Sequence, residues 1–244
     1  MKISLKMPGS WNELSAFQFK KIAMLFYTQT PGFKLEVKII KILLDYKWYQ
    51  FIAKARFDYV LTQVPFSELR KNILFLYEKN NRTVFLPEIK VGNKIYYAPM
   101  DRIINLSAHE FAVADDLHAL FRSKNEPEAL HYLFHLLYSE TKERPVFNKL
   151  NLPESVNKKV PLSVLIATEF TYFGCKNHLV NTYKKVFPKS ESKKQTKHIG
   201  FDKVILGMAK GDLSKLPIIQ NINIYIFLEQ FQEDIILAQK SKTT

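Results

Sequence analysis

A mainly helical fold carrying a small antiparallel β-hairpin is what this sequence predicts, and three observations carry the prediction. Serine-led capping boxes open two runs with helical apolar spacing. Glycine is scarce, at 7 of 244 residues, which disfavours glycine-rich phosphate loops and a fold built from many tight hairpins. One stretch near 83–98 is rich in β-branched and aromatic residues around Gly92-Asn93. With 47% hydrophobic and 24% charged residues, the chain has ordinary globular composition, and its length suits one large domain or two small ones.

The elements follow in order. Met1 to Pro8 alternates apolar and charged residues, as a short strand or extended arm does, and stops at Pro8-Gly9. Ser15 and Gln18 form a capping box, with Leu14 stapled onto Phe19, and the helix runs to about Tyr27. Its buried face is Phe19, Ile22, Ala23 and Phe26. After Pro31-Gly32 a second amphipathic helix shows Leu35, Ile39, Ile42, Leu43 and Tyr46. An aromatic-rich stretch through Trp48, Tyr49, Phe51, Phe57 and Tyr59 follows, with helix continuing to about Tyr77 and Pro65 marking a start. Thr83 to Met100 is the β region: Val84-Phe85-Leu86, then Glu88 to Val91, a type II′ turn at Gly92-Asn93, and Lys94 to Tyr97.

Ser107 and Glu110 make a second capping box for a helix to about Ser123. Glu126 to Thr141 is the next, burying Leu130, Leu133, Phe134 and Leu137 and ending near Arg144-Pro145. Pro161 to Phe187 is helical with an interruption expected at Gly174. Pro188 to Lys197 lacks apolar residues and is basic, as a flexible linker or exposed loop is. Ile199 to Lys210 is a helix closed by Gly211, and Asn223 to Gln239 is the last. The resulting organisation is a helical domain over 1–187, a basic linker over 188–198 and a C-terminal helical appendix over 199–244.

The single cysteine, Cys175, leaves no intramolecular disulfide, and no signal-peptide stretch or membrane-length apolar run is present, so the chain reads as cytoplasmic, with no membrane partner. Net charge is +13, which raises nucleic acid as a partner. Only six of the 36 basic residues are arginine, however, and bidentate readout of bases favours arginine; the lysines are scattered as the polar complement of apolar helix faces. The basic cluster within Lys184 to Lys203 is the alternative phosphate-binding tether, with Lys184, Lys185, Lys189, Lys193, Lys194 and Lys197 as its contacts.

Glu128, His131 and His135 share one helical face in a pattern that metal sites use. They lack the second Glu-x-x-His of a di-metal bundle, and Tyr132 stands where a metalloprotease needs glutamate, so an ordinary helix face is the reading. Cys175 and His178 supply half of a zinc site, and Cys175 reads as a buried core residue. Asp115 and Asp116 with His118 could be drawn as an acid/base set, but carboxylates in a helix following a cap sit in water, and the set is given no role. Nucleotide-binding and hydrolase motifs are absent, so neither a catalytic centre nor a cofactor is expected.

Two regions resemble a known family. Pro8-Gly9-Ser10-Trp11-Asn12-Glu13-Leu14-Ser15 is similar to the opening Pro-x-Ser-Trp-Asn-Glu-Leu-Thr of small proteins encoded between tail-tube and tape-measure genes in phages and prophages of Bacteroidetes-type bacteria. The segment Gly200 to Asp212, with Gly200, Val204-Ile205, Ala209 and Gly211 at matching positions, continuing to Asn223 to Leu228, resembles their C-terminal Gly-Trp-x-x-Val-Ile-x-x-Leu-Ala-x-Gly and final helix, with Phe201 in place of tryptophan. The resemblance implies a tail-assembly chaperone or accessory protein in the host cytoplasm, shielding an apolar helical partner such as the tape-measure protein, or contacting the tail-tube protein. It carries no catalytic residues. Trp11, Phe17, Phe19 and Phe201 are expected in the core.

Overall fold

The computed structural model describes residues 7–44, 55, 58–59, 62–144, 159–188 and 200–241. The protein is mainly α, with a two-stranded antiparallel sheet. Among the described residues the elements are α1 (Ala16–Thr28), α2 (Phe33–Leu43), α3 (Phe66–Lys71), β1 (Glu88–Val91), β2 (Lys94–Tyr97), α4 (Ala108–Lys124), α5 (Pro127–Leu137), α6 (Leu162–Thr182), α7 (Asp202–Met208), α8 (Leu216–Asn221) and α9 (Ile224–Lys240). Short 3₁₀ turns lie at Trp11–Glu13, Leu74–Leu76, Asp101–Ile103 and Leu213–Lys215.

Both predicted capping boxes form. Ser15 accepts from the Gln18 amide while the Gln18 side chain accepts from the Ser15 amide, and Ser107 with Glu110 repeats the exchange. Each box satisfies amides that the first helical turn leaves without an intrahelical acceptor. Asn223 caps α9 through the Tyr225 amide. Helix α8, which sequence patterning did not single out, starts with Pro217 in its first turn, where the missing N–H costs nothing. The predicted Tyr46 position, the aromatic residues Trp48, Tyr49, Phe51 and Phe57, most of the N-terminal arm, and the linker beyond Pro188 lie outside the described residues.

The centre of the fold is α6. Residues Val164 to Glu169 are buried in unbroken succession, as befits a helix surrounded by others rather than lying on a surface. Helices α1 and α5 pack directly on it, α4 packs on α5, and α7, α8 and α9 pack on α4. The predicted break at Gly174 does not occur, and α6 runs through it. Gly174 instead lets another chain segment in: a Cβ there would stand 1.9 Å from the Arg82 carbonyl oxygen. The residue is a notch for close approach, not a helix breaker.

The segment that enters the notch is fixed by side chains. Asn12 Oδ1 accepts from the amides of Thr83 and Val84, Asn80 Nδ2 donates to the Phe170 carbonyl, and Asn177 Nδ2 donates to the Asn80 carbonyl. The Phe85 amide donates to Asp101. These side-chain acceptors take the amides that a ladder would use, so Val84-Phe85-Leu86, expected to be a strand, stays unpaired. The sheet is confined to Glu88–Val91 against Lys94–Tyr97, in register Glu88 opposite Tyr97. Gly92 carries φ +61 and Asn93 does not enter positive φ, as a type II′ turn requires.

Trp11 sits at the heart of an aromatic cluster, its ring 4.4 Å from Phe170 and edge-on to Phe19 and Phe75. Arg82 is buried beside it, its guanidinium 3.6 Å over the Phe19 ring and donating to the Trp11 carbonyl. Burial pushes that guanidinium's pKa down to about 10. Ser10, Trp11, Asn12 and Glu13 thus each have a structural job, since Glu13 also accepts from the Gly9 amide and the Ser10 hydroxyl. Phe17 departs from expectation: it is 56% exposed, because the face set by Phe19, Ile22 and Ala23 turns it outward.

Helix α5 ends at Leu137, earlier than predicted. Tyr138 is extended, its hydroxyl donates to the Leu86 carbonyl, and Ser139 exchanges both backbone hydrogen bonds with Tyr97. Arg144 does mark this end, but through space: its guanidinium donates to the last carbonyls, of Leu136 and Leu137, and pairs with Glu110 at the start of α4. One side chain so locks two helix ends together.

The C-terminal helices dock on the same core, through Phe201, Ile205, Ile224, Phe227 and Leu228. A set of hydrogen bonds clasps them to residues 102–108. The Tyr225 hydroxyl donates to the Arg102 carbonyl, Asn223 Nδ2 to the Ile104 carbonyl and the Ile224 amide to the Leu106 carbonyl, while the Ala108 amide donates to the Ile222 carbonyl. The clasped turn holds Arg102 at φ +58 and Ile103 at φ +56, a conformation that L-residues adopt at a cost.

Candidate functional site

Helices α4 and α6 do not pack closely backbone to backbone, and long polar and aromatic side chains fill the space between them. On α4, Asp115, His118 and Arg122 recur at i, i+3 and i+7 and so share one face. Each meets a partner on α6: Asp115 pairs with Lys176, while His118 and Arg122 both reach Glu169. Asp115 was expected in water; it is buried, as is His118, because α6 supplies charges opposite them.

Glu169 is the pivot, with a side chain only 3% exposed. Its Oε1 accepts from Arg122 Nε at 2.7 Å, with Arg122 Nη2 at 2.7 Å and His118 Nε2 at 3.0 Å from the same oxygen. The His118 approach is not aligned for a hydrogen bond, and the imidazole is instead stacked on Phe173 at 5.4 Å. Arg122 also lies over the Phe173 ring. Glu169 Oε2 accepts nothing from the described residues. A carboxylate placed among apolar side chains is tolerated only when such partners compensate it.

Next to this pivot a cleft of about 260 Å³ opens between three helices. Ala23, Phe26 and Tyr27 of α1 form one wall, Phe121, Arg122 and the cap residue Asn125 the second, and Ile166, Glu169 and Phe170 of α6 the floor. The Tyr27 and Phe121 rings face each other across 6.3 Å. The lining mixes aromatic and aliphatic side chains with a buried carboxylate, a half-exposed guanidinium and the Asn125 amide, an arrangement suited to holding an amphipathic ring in a fixed orientation.

The second feature is a set of exposed aliphatic side chains on the C-terminal helices. Leu213, Ile218, Ile226 and Leu237 are each more than 60% exposed, and Leu206 is nearly half exposed. Ile226 and Leu237 lie about three turns apart on one line of α9. Their buried neighbours Phe201 and Phe227 pack on each other, and Phe201 packs on Phe111 of α4.

The other sequence candidates are dispersed. Glu128 is exposed, while His135 is half-buried against the Tyr96 and Phe134 rings, where burial, with His131 adding to it, lowers its pKa. Cys175 is buried with its thiol toward the Thr83 carbonyl, and burial pushes the thiol's pKa up, away from thiolate chemistry. His178 lies near the surface end of α6, its pKa lowered by burial and then by Arg102. Among the described residues no group of three or more His, Cys, Asp or Glu is placed to hold a metal ion. Lys184 and Lys185 are exposed just beyond α6; Lys189, Lys193, Lys194 and Lys197 lie outside the described residues. No helix among the described residues is long and apolar enough to cross a membrane.

The α4–α6 seam and the cleft were missed in the sequence, though a signal was present. Glu169 is a lone acid within the apolar run from Leu162 to Phe173, and Asp115, His118 and Arg122 make a polar stripe at helical spacing. Compared with protein families, with curated proteins and with solved structures, the chain matches none of them.

Proposed function

We propose that this chain acts stoichiometrically, without catalysis, as a phage tail-assembly chaperone or tail accessory protein that binds an apolar helical partner such as the tape-measure protein. The observation that carries the reading is the exposure of the large aliphatic side chains Leu213, Ile218, Ile226 and Leu237 on the C-terminal helices. Large aliphatic side chains at this exposure gain from being covered, and a partner helix with an apolar stripe covers them by the same packing that joins helices inside a protein. The resemblance of the flanking segment, Gly200 to Asp212 and Asn223 to Leu228, to tail-assembly proteins names the partner class.

Co-expression with a tape-measure-like partner, followed by pull-down at low and high salt, tests this. Ile218→Asp with Ile226→Asp, both at exposed positions, leaves the fold intact and abolishes association. The expected result is retention that survives high salt and keeps the partner soluble, because apolar burial is not screened. Retention of DNA instead, lost in salt and lost when Lys184, Lys185, Lys189, Lys193, Lys194 and Lys197 become glutamine, replaces the proposal with the nucleic-acid reading.

A further inference from the structure

We propose that the cleft between α1, α4 and α6 is an anchor pocket for one aromatic side chain bearing a hydrogen-bond donor, an indole or a phenol, presented by a partner polypeptide. The inference rests on the protein-binding reading for the source of that side chain, and on the cleft's own geometry for its chemistry.

The volume comes first. At about 260 Å³ the cleft is smaller than the roughly 300–1,000 Å³ of pockets that hold whole small-molecule ligands, yet larger than the roughly 150 Å³ cavity that takes a benzene ring. A single bicyclic or substituted ring fits this range. The walls come second: Phe26, Tyr27, Phe121 and Phe170 surround the space, and aromatic faces and edges favour another ring in tilted or edge-on contact. The guanidinium of Arg122 adds a flat cation at the side.

The floor selects within the aromatic class. Arg122 and His118 converge on Oε1 of Glu169, a residue that lines the cleft, and its Oε2 takes no donor from the described residues. A carboxylate lining a partly aromatic cleft rewards an occupant that brings a donor, because a hydrogen bond to a charged acceptor is stronger than a neutral one. Phenylalanine or leucine would fill the space and leave that acceptor unmet; tryptophan or tyrosine would fill it and meet it. An aliphatic ammonium is a poorer occupant, since Arg122 already places a positive charge on the wall.

The test uses the full chain and three probes: N-acetyl-tryptophanamide, the same molecule methylated on the indole nitrogen, and an amphipathic helical peptide carrying one tryptophan. Binding is followed by the Ile166 methyl resonance, which reports from the cleft floor. The expected result is saturable shifts with the first probe and about tenfold weaker binding of the methylated one. In Glu169→Gln the amide oxygen stays on Arg122 and its NH₂ faces the cleft, so the preference between the two probes disappears. Tyr27→Ala, at a position 43% exposed, weakens the first probe several-fold, and keeps the proposal falsifiable if Glu169→Gln does not fold. Equal binding of both tryptophan probes, or no shift at Ile166 with either, overturns the pocket. If the helical peptide binds through Ile218 and Ile226 without shifting Ile166, the pocket is overturned while the protein-binding function stands. If the tryptophan probe binds in the cleft but no helical peptide binds anywhere, the pocket's chemistry stands and the protein-binding function falls.

Discussion

Glycine-to-alanine substitution in α6 and α7 is expected to have opposite signs. In a helix interior alanine is favoured over glycine by about 1 kcal/mol, so propensity alone predicts stabilisation at both Gly174 and Gly207. Gly207 has nothing within 4 Å of an added Cβ, and Gly207→Ala should realise that gain. At Gly174 the methyl would sit 1.9 Å from the Arg82 carbonyl oxygen, and 2.8 and 2.9 Å from the Arg82 carbonyl carbon and amide nitrogen. Relief needs a displacement of more than 1 Å, and what must move is backbone, tied by Asn12, Asn80 and Asn177. Overpacking a core costs about 1–3 kcal/mol. Losing two of those hydrogen bonds adds about 2 kcal/mol. After subtracting the propensity gain, Gly174→Ala should lose about 2–4 kcal/mol. Urea unfolding of both variants beside the parent measures the difference. A Gly174→Ala midpoint at or above the parent's would refute the reading of Gly174 as a notch.

Arg144→Ala should cost about 3–5 kcal/mol in the same assay, because it strands the buried Glu110 carboxylate and uncaps α5; a loss under 1 kcal/mol would show the pair to be decorative. Arg102→Gly removes about 1–2 kcal/mol of left-handed strain against about 0.5–1 kcal/mol of glycine entropy, so a small gain in melting temperature is expected, whereas Ile103→Gly should lose stability because Ile103 is buried. His135 has its pKa lowered by burial, so the unfolded chain binds the proton more readily; its contribution is full above about 6.5 and is lost as pH falls through that value toward the folded pKa. Stability measured from pH 7.5 to 5 should therefore decline, and less steeply in His135→Gln. An unchanged slope in that variant assigns the decline to other groups.

What was legible in the sequence was local. Ser15 with Gln18 and Ser107 with Glu110 announce helix starts because each interaction closes within four residues, and Gly92-Asn93 announces its turn for the same reason. The errors share a cause in partners from far along the chain. Gly174 looked like an interruption because nothing nearby shows that Arg82 will lie against it. Val84 to Leu86 looked like a strand because their composition does not show that Asn12 and Asp101 will take the amides there. Asp115 looked solvated until α6 placed Lys176 opposite it. The cleft shares that origin, since its walls come from three helices and no single segment contains its pattern.

The clasp between α9 and the turn at 102–108 has a consequence for how the molecule is born. Asn223 and the Ile104 carbonyl it binds are 119 residues apart, and a ribosome adding about 5–20 residues per second needs about 6–24 s to make the distance between them. Throughout that interval the Arg102, Ile104 and Leu106 carbonyls lack their native donors. The nascent chain therefore carries an open seam along α4 until its last helix emerges, and a ribosome stalled after α6 would display that seam to whatever cellular chaperone is near.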